Sequence, residues 1–150
     1  MKEYLISMTG KITDENGDTE VMDLTSIAEY NFNTEHPTLI YKEYPDQYPV
    51  DQKQNDFTLN TITIYSDNKI TLTKSAKGGI QSILILEKDK RHSCVYNTNF
   101  GSFEMGFFTT SLVINASENQ CRISAFYTTD IDKETTRKHQ LDIVLKEKVG

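Results

Sequence analysis

The chain has 150 residues and a formal net charge of −6, with 37% apolar and 25% charged residues. That length suits one domain with a continuous core, and since no composition shift marks a second, we expect a single domain over residues 1–150. The negative charge argues against a dedicated nucleic-acid-binding protein, because cationic side chains supply most of the non-specific affinity for phosphates.

The N-terminal segment alternates apolar and polar residues, which predicts strands. Residues 4–12 form the first predicted strand, and residues 1–10 contain no long apolar run. We therefore predict neither a signal peptide nor a membrane span, and we expect a cytoplasmic protein. Asn16-Gly17 follows, which is a strong hairpin signal because both residues tolerate positive φ. The second strand is expected to begin near Asp18 and to continue, bent, through Phe32.

Two prolines interrupt the pattern after the third predicted strand. Residues 38–44 are a compact apolar and aromatic run, which Pro45 and Pro49 terminate. Residues 45–56 are predicted to form a loop. Turn residues separate the next predicted strands, which cover residues 57–65, 69–74, 80–87 and 91–98.

The C-terminal third contains the longest predicted strand, over residues 103–115. Phe103 and Met105 are out of phase with Leu112 and Ile114, so we expect a β-bulge at Gly106. Strands are also predicted at residues 121–129 and 141–146, and the charged stretch 130–140 is expected to be a solvated loop. About ten short strands favour an all-β fold, a single antiparallel meandering barrel of about 8–10 strands, because closure pairs the strand edges.

A family resemblance extends over nearly the whole chain. It is carried by the opening strand with its acidic hairpin and by residues 39–43 (LIYKE), 96–101 (YNTNFG), 109–112 (TTSL) and 123–127 (ISAFY). These segments resemble the YwiB-like family, a bacterial group of unknown function, and the resemblance implies a calycin-like, lipocalin-type barrel. The family usually has an Arg-x-Gly element after the central hairpin. This chain has Lys74-Ser75-Ala76 at that position. An arginine can hold a carboxylate or phosphate through two hydrogen bonds, whereas Lys74 supplies only a point charge.

The cysteines and histidines lack the spacing of a metal site. Cys94 and Cys121 are expected to be free thiols, with a single disulfide as the alternative if the protein is exported. The three histidines, His36, His92 and His139, stand far apart, and we expect surface or strand-packing roles for them. The sequence therefore predicts no metal and no cofactor.

One strand face raises a catalytic hypothesis. His92, Cys94 and Tyr96 share this face, so a His–Cys nucleophilic pair is conceivable. Neighbouring side chains on a strand do not by themselves provide the third group that must orient the base. Because no nucleophile, base and orienting group can be named together, we do not expect an enzyme.

Aromatic and charged side chains supply a candidate ligand site. Small barrels either fill their interior or leave a cup for one ligand, and tyrosine suits both, because its ring packs and its hydroxyl forms hydrogen bonds. If Glu43 points inward it requires a cation, for which Lys74 or Arg91 is a candidate; otherwise it is a solvent-facing acid. The candidate ligand-binding residues are Tyr30, Tyr41, Glu43, Lys74, Tyr96, Phe103, Phe107 and Tyr127.

Charge is distributed unevenly along the chain. Residues 1–68 have a net charge of −9 and residues 69–150 a net charge of +3. The basic residues near the C-terminus raise a single-strand nucleic-acid surface as a possibility, but interleaved acids favour a solvated face of mixed charge.

Two hypotheses follow. The first is a non-enzymatic module that binds a small apolar or amphipathic molecule in the barrel. The second is a scaffold that binds a protein partner, or a second copy of the chain as a homodimer, through a strand edge or a surface patch.

Overall fold

The computed structural model describes residues 3–44, 57–76, 79–98 and 100–148. Within those ranges every regular element is a strand. The strands are β1 (Tyr4–Asp14), β2 (Thr19–Asn31), β3 (Thr38–Glu43), β4 (Thr58–Ser66), β5 (Lys69–Ala76), β6 (Gly79–Glu87), β7 (Arg91–Thr98), β8 (Gly101–Ala116), β9 (Gln120–Ile131) and β10 (Glu134–Glu147). In the described part of the chain, no helix has the length and apolar character needed to cross a membrane. The predicted loop over residues 45–56 lies outside the described residues.

The ten strands form one antiparallel sheet in the order β6-β5-β4-β3-β2-β1-β10-β9-β8-β7. Because β1 pairs with β10, the first and last strands meet in the middle of the sheet. Its two edges, β6 and β7, approach each other: the Cys94 thiol donates to the carbonyl oxygen of Ile83 at 3.6 Å, and Lys88 forms an isolated bridge to Thr109. The sheet is thus a nearly closed barrel, which confirms the predicted all-β meandering architecture.

The first hairpin forms at the predicted turn. Gly17 adopts a φ of 85°, which a residue with a Cβ rarely adopts. The Asp14 carboxylate accepts hydrogen bonds from the backbone N–H groups of Asn16 and Asp18, at 2.9 and 3.0 Å. Local turn chemistry therefore sets the register of β1 with β2.

The predicted bulge at Gly106 is wrong, although the change of phase in β8 is real. The register shifts between Thr109 and Ser111, so the extra residue is Thr110, whose hydroxyl donates to the Phe126 carbonyl oxygen at 3.2 Å. Gly106 has a different role, because a Cβ there would overlap the guanidinium group of Arg91.

The space above Gly106 holds an ion pair that joins β7 to β9. The Arg91 guanidinium donates to both carboxylate oxygens of Asp130, at 2.7 and 3.1 Å, and to Glu104 at 3.0 Å. Hydrogen bonding to Arg91 lowers the pKa of the Asp130 carboxyl. Arg91 is therefore already paired, and it is not the partner of Glu43.

The predicted loop over residues 130–140 is also wrong. β9 continues to Ile131 and β10 begins at Glu134, and the two residues between them, Asp132 and Lys133, adopt φ angles of 53° and 72°. This is a tight hairpin turn. The charged sequence here shows no apolar alternation because the two strands run on to an end of the barrel that is open to solvent.

Side chains fill the opposite end of the barrel, which we call the closed end. The Tyr30 hydroxyl donates to the Ser117 carbonyl oxygen at 2.7 Å and the Tyr4 hydroxyl to that of Glu118 at 3.3 Å, so the β8–β9 turn covers this end. Tyr4 and Tyr30 pack edge to face, with ring centroids 5.3 Å apart. The fully buried side chains of the core are Ile6, Leu39, Ile62, Ile70, Leu86, Thr109, Cys121, Ile123, Ile143 and Leu145.

Candidate functional site

A cavity of about 680 Å³ occupies the open half of the barrel. Ligand pockets in proteins typically measure about 300–1,000 Å³. We call this cavity the cup. Inward-facing residues of β1–β6, β9 and β10 form its wall, and Ile12 and Met22, which flank the β1–β2 hairpin, lie at its mouth. The apolar part of the wall consists of Met8, Leu24, Ile62, Leu72, Leu84 and Leu141.

Gly10 leaves part of the wall unfilled. It lies on β1 between Met8 and Ile12, on the same face of the strand, and pairs with Met22 and Leu141 on the neighbouring strands. A Cβ built on Gly10 would meet no atom within 4 Å. The backbone of β1 therefore borders open space in the cup.

One ion pair lies at the rim of the cup. Lys74 Nζ is 3.6 Å from Glu43 Oε1, and the Asn60 side-chain amide donates to the same oxygen at 3.2 Å. Asn60 is buried, with 4% exposure, whereas the side chains of Lys74 and Glu43 are 52% and 36% exposed. Ion pairs this exposed typically stabilise a protein by no more than about 1 kcal/mol. The pair is the contact that Glu43 was predicted to need if it faced inward.

Tyrosine rings form a further part of the wall, which also contains the charged residues Lys11, Asp23 and Lys42. The Tyr41 hydroxyl donates to Met8 Sδ at 3.6 Å, and burial raises the pKa of Tyr41 well above its usual value. The Tyr127 ring stacks on His139, with centroids 4.5 Å apart and planes 7° apart, and burial raises the pKa of Tyr127 to about 12. Both phenols are therefore neutral at physiological pH.

His139 is held in the wall by two contacts. Its ring stacks on Tyr127, and its Nε2 lies 3.1 Å from the Thr129 hydroxyl oxygen. Burial, and secondarily the charge of Arg137, lowers the pKa of His139 from 6.5 to about 4. The imidazole is therefore neutral at pH 7.

Acidification is expected to destabilise the fold through His139. Between pH 6.5 and 4 the unfolded chain binds a proton that the folded imidazole does not, so the free energy of unfolding falls as the pH falls. After discounting for partial exposure we expect this loss to be about 1–2 kcal/mol. His139→Phe keeps an aromatic ring on Tyr127 but cannot titrate, so its urea-unfolding free energy is expected to change less between pH 7 and 5. An unaltered pH dependence in this variant would contradict the assignment.

The structure brings together four of the eight predicted site residues. Tyr41, Glu43, Lys74 and Tyr127 all line the cup. Tyr30 belongs to the closed end, and Phe107 is buried in the core. Phe103, on β8, is partly buried and is not among the cup-lining residues, and the side chain of Tyr96 lies outside the described part of the chain.

Asn60, Gly10 and His139 are among the wall residues that were not predicted from the sequence. Asn60 lies on the inward face of β4 next to Ile62 and Ile64, and an amide beside two isoleucines on that face was a readable signal. Gly10 interrupts the alternation of β1 in the same way. His139 lay in the stretch that was predicted to be a loop, so its inward orientation could not be anticipated.

Within the described ranges, His92 and Cys94, which raised a catalytic hypothesis, are not brought together as a site. His92 Nε2 lies 2.8 Å from Glu87 Oε1, whereas the Cys94 thiol contacts the Ile83 carbonyl oxygen, so the two side chains have different partners. Both cysteines are free, and burial raises the pKa of Cys121 to about 11, which makes its thiol a poor nucleophile. Among the described residues, no three His, Cys, Asp or Glu side chains cluster as metal ligands.

Comparison with known proteins places this barrel in a family. The crystal structure of the YwiB protein from Bacillus subtilis superposes with a TM-score of 0.77, over 99% of this chain and 93% of that chain, at 18% sequence identity. No curated protein matches the chain. The model of a domain of unknown function (DUF1934) matches residues 6–143. The resemblance to the YwiB-like family is confirmed, and the chain belongs to the DUF1934 family.

Proposed function

We propose that this protein is a binding module that holds a small amphipathic molecule in the cup, in the manner of a lipocalin-type barrel. The observation that supports it is a cavity of about 680 Å³ at one end of a barrel whose other end holds buried side chains under the β8–β9 turn. A structural domain has no need of such a space, because unfilled volume in a core destabilises the fold.

The wall supports an amphipathic ligand rather than a wholly polar one. Leucine, isoleucine and methionine side chains form one part of it, and polar and charged groups, among them Glu43, Asn60 and Lys74, form another. Burying an apolar chain of ten carbons stabilises the complex by up to about 8 kcal/mol. The translational and rotational freedom lost on association costs at least about 4 kcal/mol. The difference of about 4 kcal/mol corresponds to a dissociation constant of about 1 mM from the apolar chain alone, before any polar contact at the rim.

An alternative function, a scaffold that binds a partner through a strand edge, has one supporting observation. In the described part of the chain, β6 and β7 each have a ladder partner on one side only. The contact of Cys94 with Ile83 brings these edges together, however, and leaves less room for an added strand. For this reason we favour the ligand-binding module.

A neutral fluorescent probe tests the proposal. N-phenyl-1-naphthylamine brightens in apolar surroundings, and we expect saturable enhancement with the purified protein that decanol reverses by competition. Native mass spectrometry of protein purified from its own host is expected to show a retained small molecule. No enhancement up to the solubility limit of the probe, together with concentration-dependent dimers in light scattering, would overturn the proposal in favour of the scaffold.

A further inference from the structure

The carboxylate of Glu43 is the fixed charge at the rim of the cup. Glu43 closes β3, whose hydrogen-bonded register with β4 places Tyr41 opposite Asn60. The Asn60 amide is buried and donates to Glu43 Oε1, so the carboxylate is anchored from the inside of the barrel. A ligand that enters the cup meets this negative charge in a defined position.

Lys74 is the replaceable partner of that carboxylate. Its ammonium lies at the end of a flexible side chain, is more exposed than Glu43, and approaches Oε1 only to 3.6 Å. Within the described residues, no other hydrogen bond or ion pair holds the ammonium group of Lys74. It can swing into solvent when a ligand arrives, whereas Glu43 cannot leave without losing the Asn60 amide.

Charged side chains of both signs lie at the cup. The β1–β2 hairpin near its mouth carries Asp14, Glu15, Asp18 and Glu20. The charged residues that line the cup are Lys11, Asp23, Lys42, Glu43 and Lys74. Of the two carboxylates in that lining, Glu43 is the one that a buried amide holds in place, so the preference for a cation rests on this contact.

The aromatic wall suits the same class of ligand. Tyr41 and Tyr127 line the cup, and tyrosine faces attract ammonium groups. An anionic head would instead lie beside the anchored carboxylate of Glu43, where like charges repel and Lys74 would have to serve both groups.

We propose that the ligand is a cationic amphiphile, whose ammonium group replaces that of Lys74 against Glu43 while its apolar body fills the cup. This inference rests on the proposed function and specifies its ligand class.

Three probes with the same apolar chain test it at pH 7: decylammonium and decanoate, each kept below its micelle concentration, and decanol, kept below its solubility limit. Their dissociation constants are measured by displacement of the neutral naphthylamine probe. We expect decylammonium to bind at least tenfold more tightly than decanoate, with decanol between them.

Charge variants identify the contact. Glu43→Gln is expected to weaken the binding of decylammonium about tenfold and the binding of decanol much less. Lys74→Met is expected to weaken the binding of decylammonium less than Glu43→Gln does. Glu29→Gln is the matched control, since it removes the same charge from an exposed position on β2. Far-UV circular dichroism of each variant confirms that the fold is retained.

The outcomes separate the two proposals. If decanol displaces the probe but decanoate binds as well as decylammonium, or if Glu43→Gln leaves decylammonium binding unchanged, the cationic assignment is overturned and the binding module stands. If none of the three displaces the probe, the binding module itself is contradicted.

Discussion

Gly10→Phe is expected to lower the affinity for the neutral naphthylamine probe more than tenfold while the barrel stays folded. A side chain at this position enters the cup, because the Cβ meets no atom within 4 Å and the φ of Gly10 lies outside the left-handed region. Phenylalanine is also a better strand former than glycine. The added ring competes with the ligand for space, so binding suffers and the free energy of unfolding changes by less than about 1 kcal/mol.

The control for Gly10→Phe lies three residues earlier on the same strand. Ser7 is exposed on the outer face of β1, so Ser7→Phe adds the same ring without entering the barrel. We expect the Ser7→Phe variant to bind the probe as tightly as the parent protein does. Gly10→Leu, with a smaller side chain, should give an intermediate loss if phenylalanine proves too large for the fold. Parental affinity in a folded Gly10→Phe protein would show that the cup is not where the probe binds.

Ile6→Ala is expected to lower the free energy of unfolding by about 3 kcal/mol, within the roughly 2–5 kcal/mol typical of such truncations in packed cores. Ile6 is 0% exposed and belongs to the packed half of the barrel, where no open space can absorb the loss. For a chain of this length the loss corresponds to a fall in Tm of about 6–12 °C. Urea unfolding followed by circular dichroism measures it.

Ile27→Ala is the matched control, because it removes the same atoms from the outer face of β2, where Ile27 is 51% exposed. Its expected cost is at most about 0.5 kcal/mol. The Ile6→Ala variant should bind the naphthylamine probe as tightly as the parent protein does at temperatures where the variant is folded, because Ile6 does not line the cup. Equal costs for the two truncations would mean that the end of the barrel assigned as closed is not packed.

Alternation of side chains was sufficient to predict the strands, and local turn chemistry was sufficient to predict the first hairpin. Residues such as Ile6 and Met8 share a face because the side-chain period of a strand is two, whatever the rest of the chain does. The same rule placed Tyr41 and Glu43 on one face of β3. It failed where the period changes: a phase shift in β8 was visible, but the residue that absorbs it is Thr110 and not Gly106.

The hairpin at Asp132-Lys133 could not be predicted for a related reason. Near the mouth of the barrel β9 and β10 carry mostly polar and charged side chains, so they show no apolar alternation. Only their pairing with β1 and β8 shows that they are strands. Because of this error, His139 was not predicted to line the cup. Its stack on Tyr127 depends on the register of β9 with β10.

The amino-acid sequence by itself determined the all-β class, nearly every strand and the pairing of faces along each strand, because these depend on period and on local backbone preference. Only the tertiary structure decided which end of the barrel is filled and which is open, and that Glu43 meets Lys74 above a buried Asn60. Interior volume depends on how ten strands are staggered around a common axis, and that stagger is a sum of registers between residues far apart in the chain. No local pattern records it.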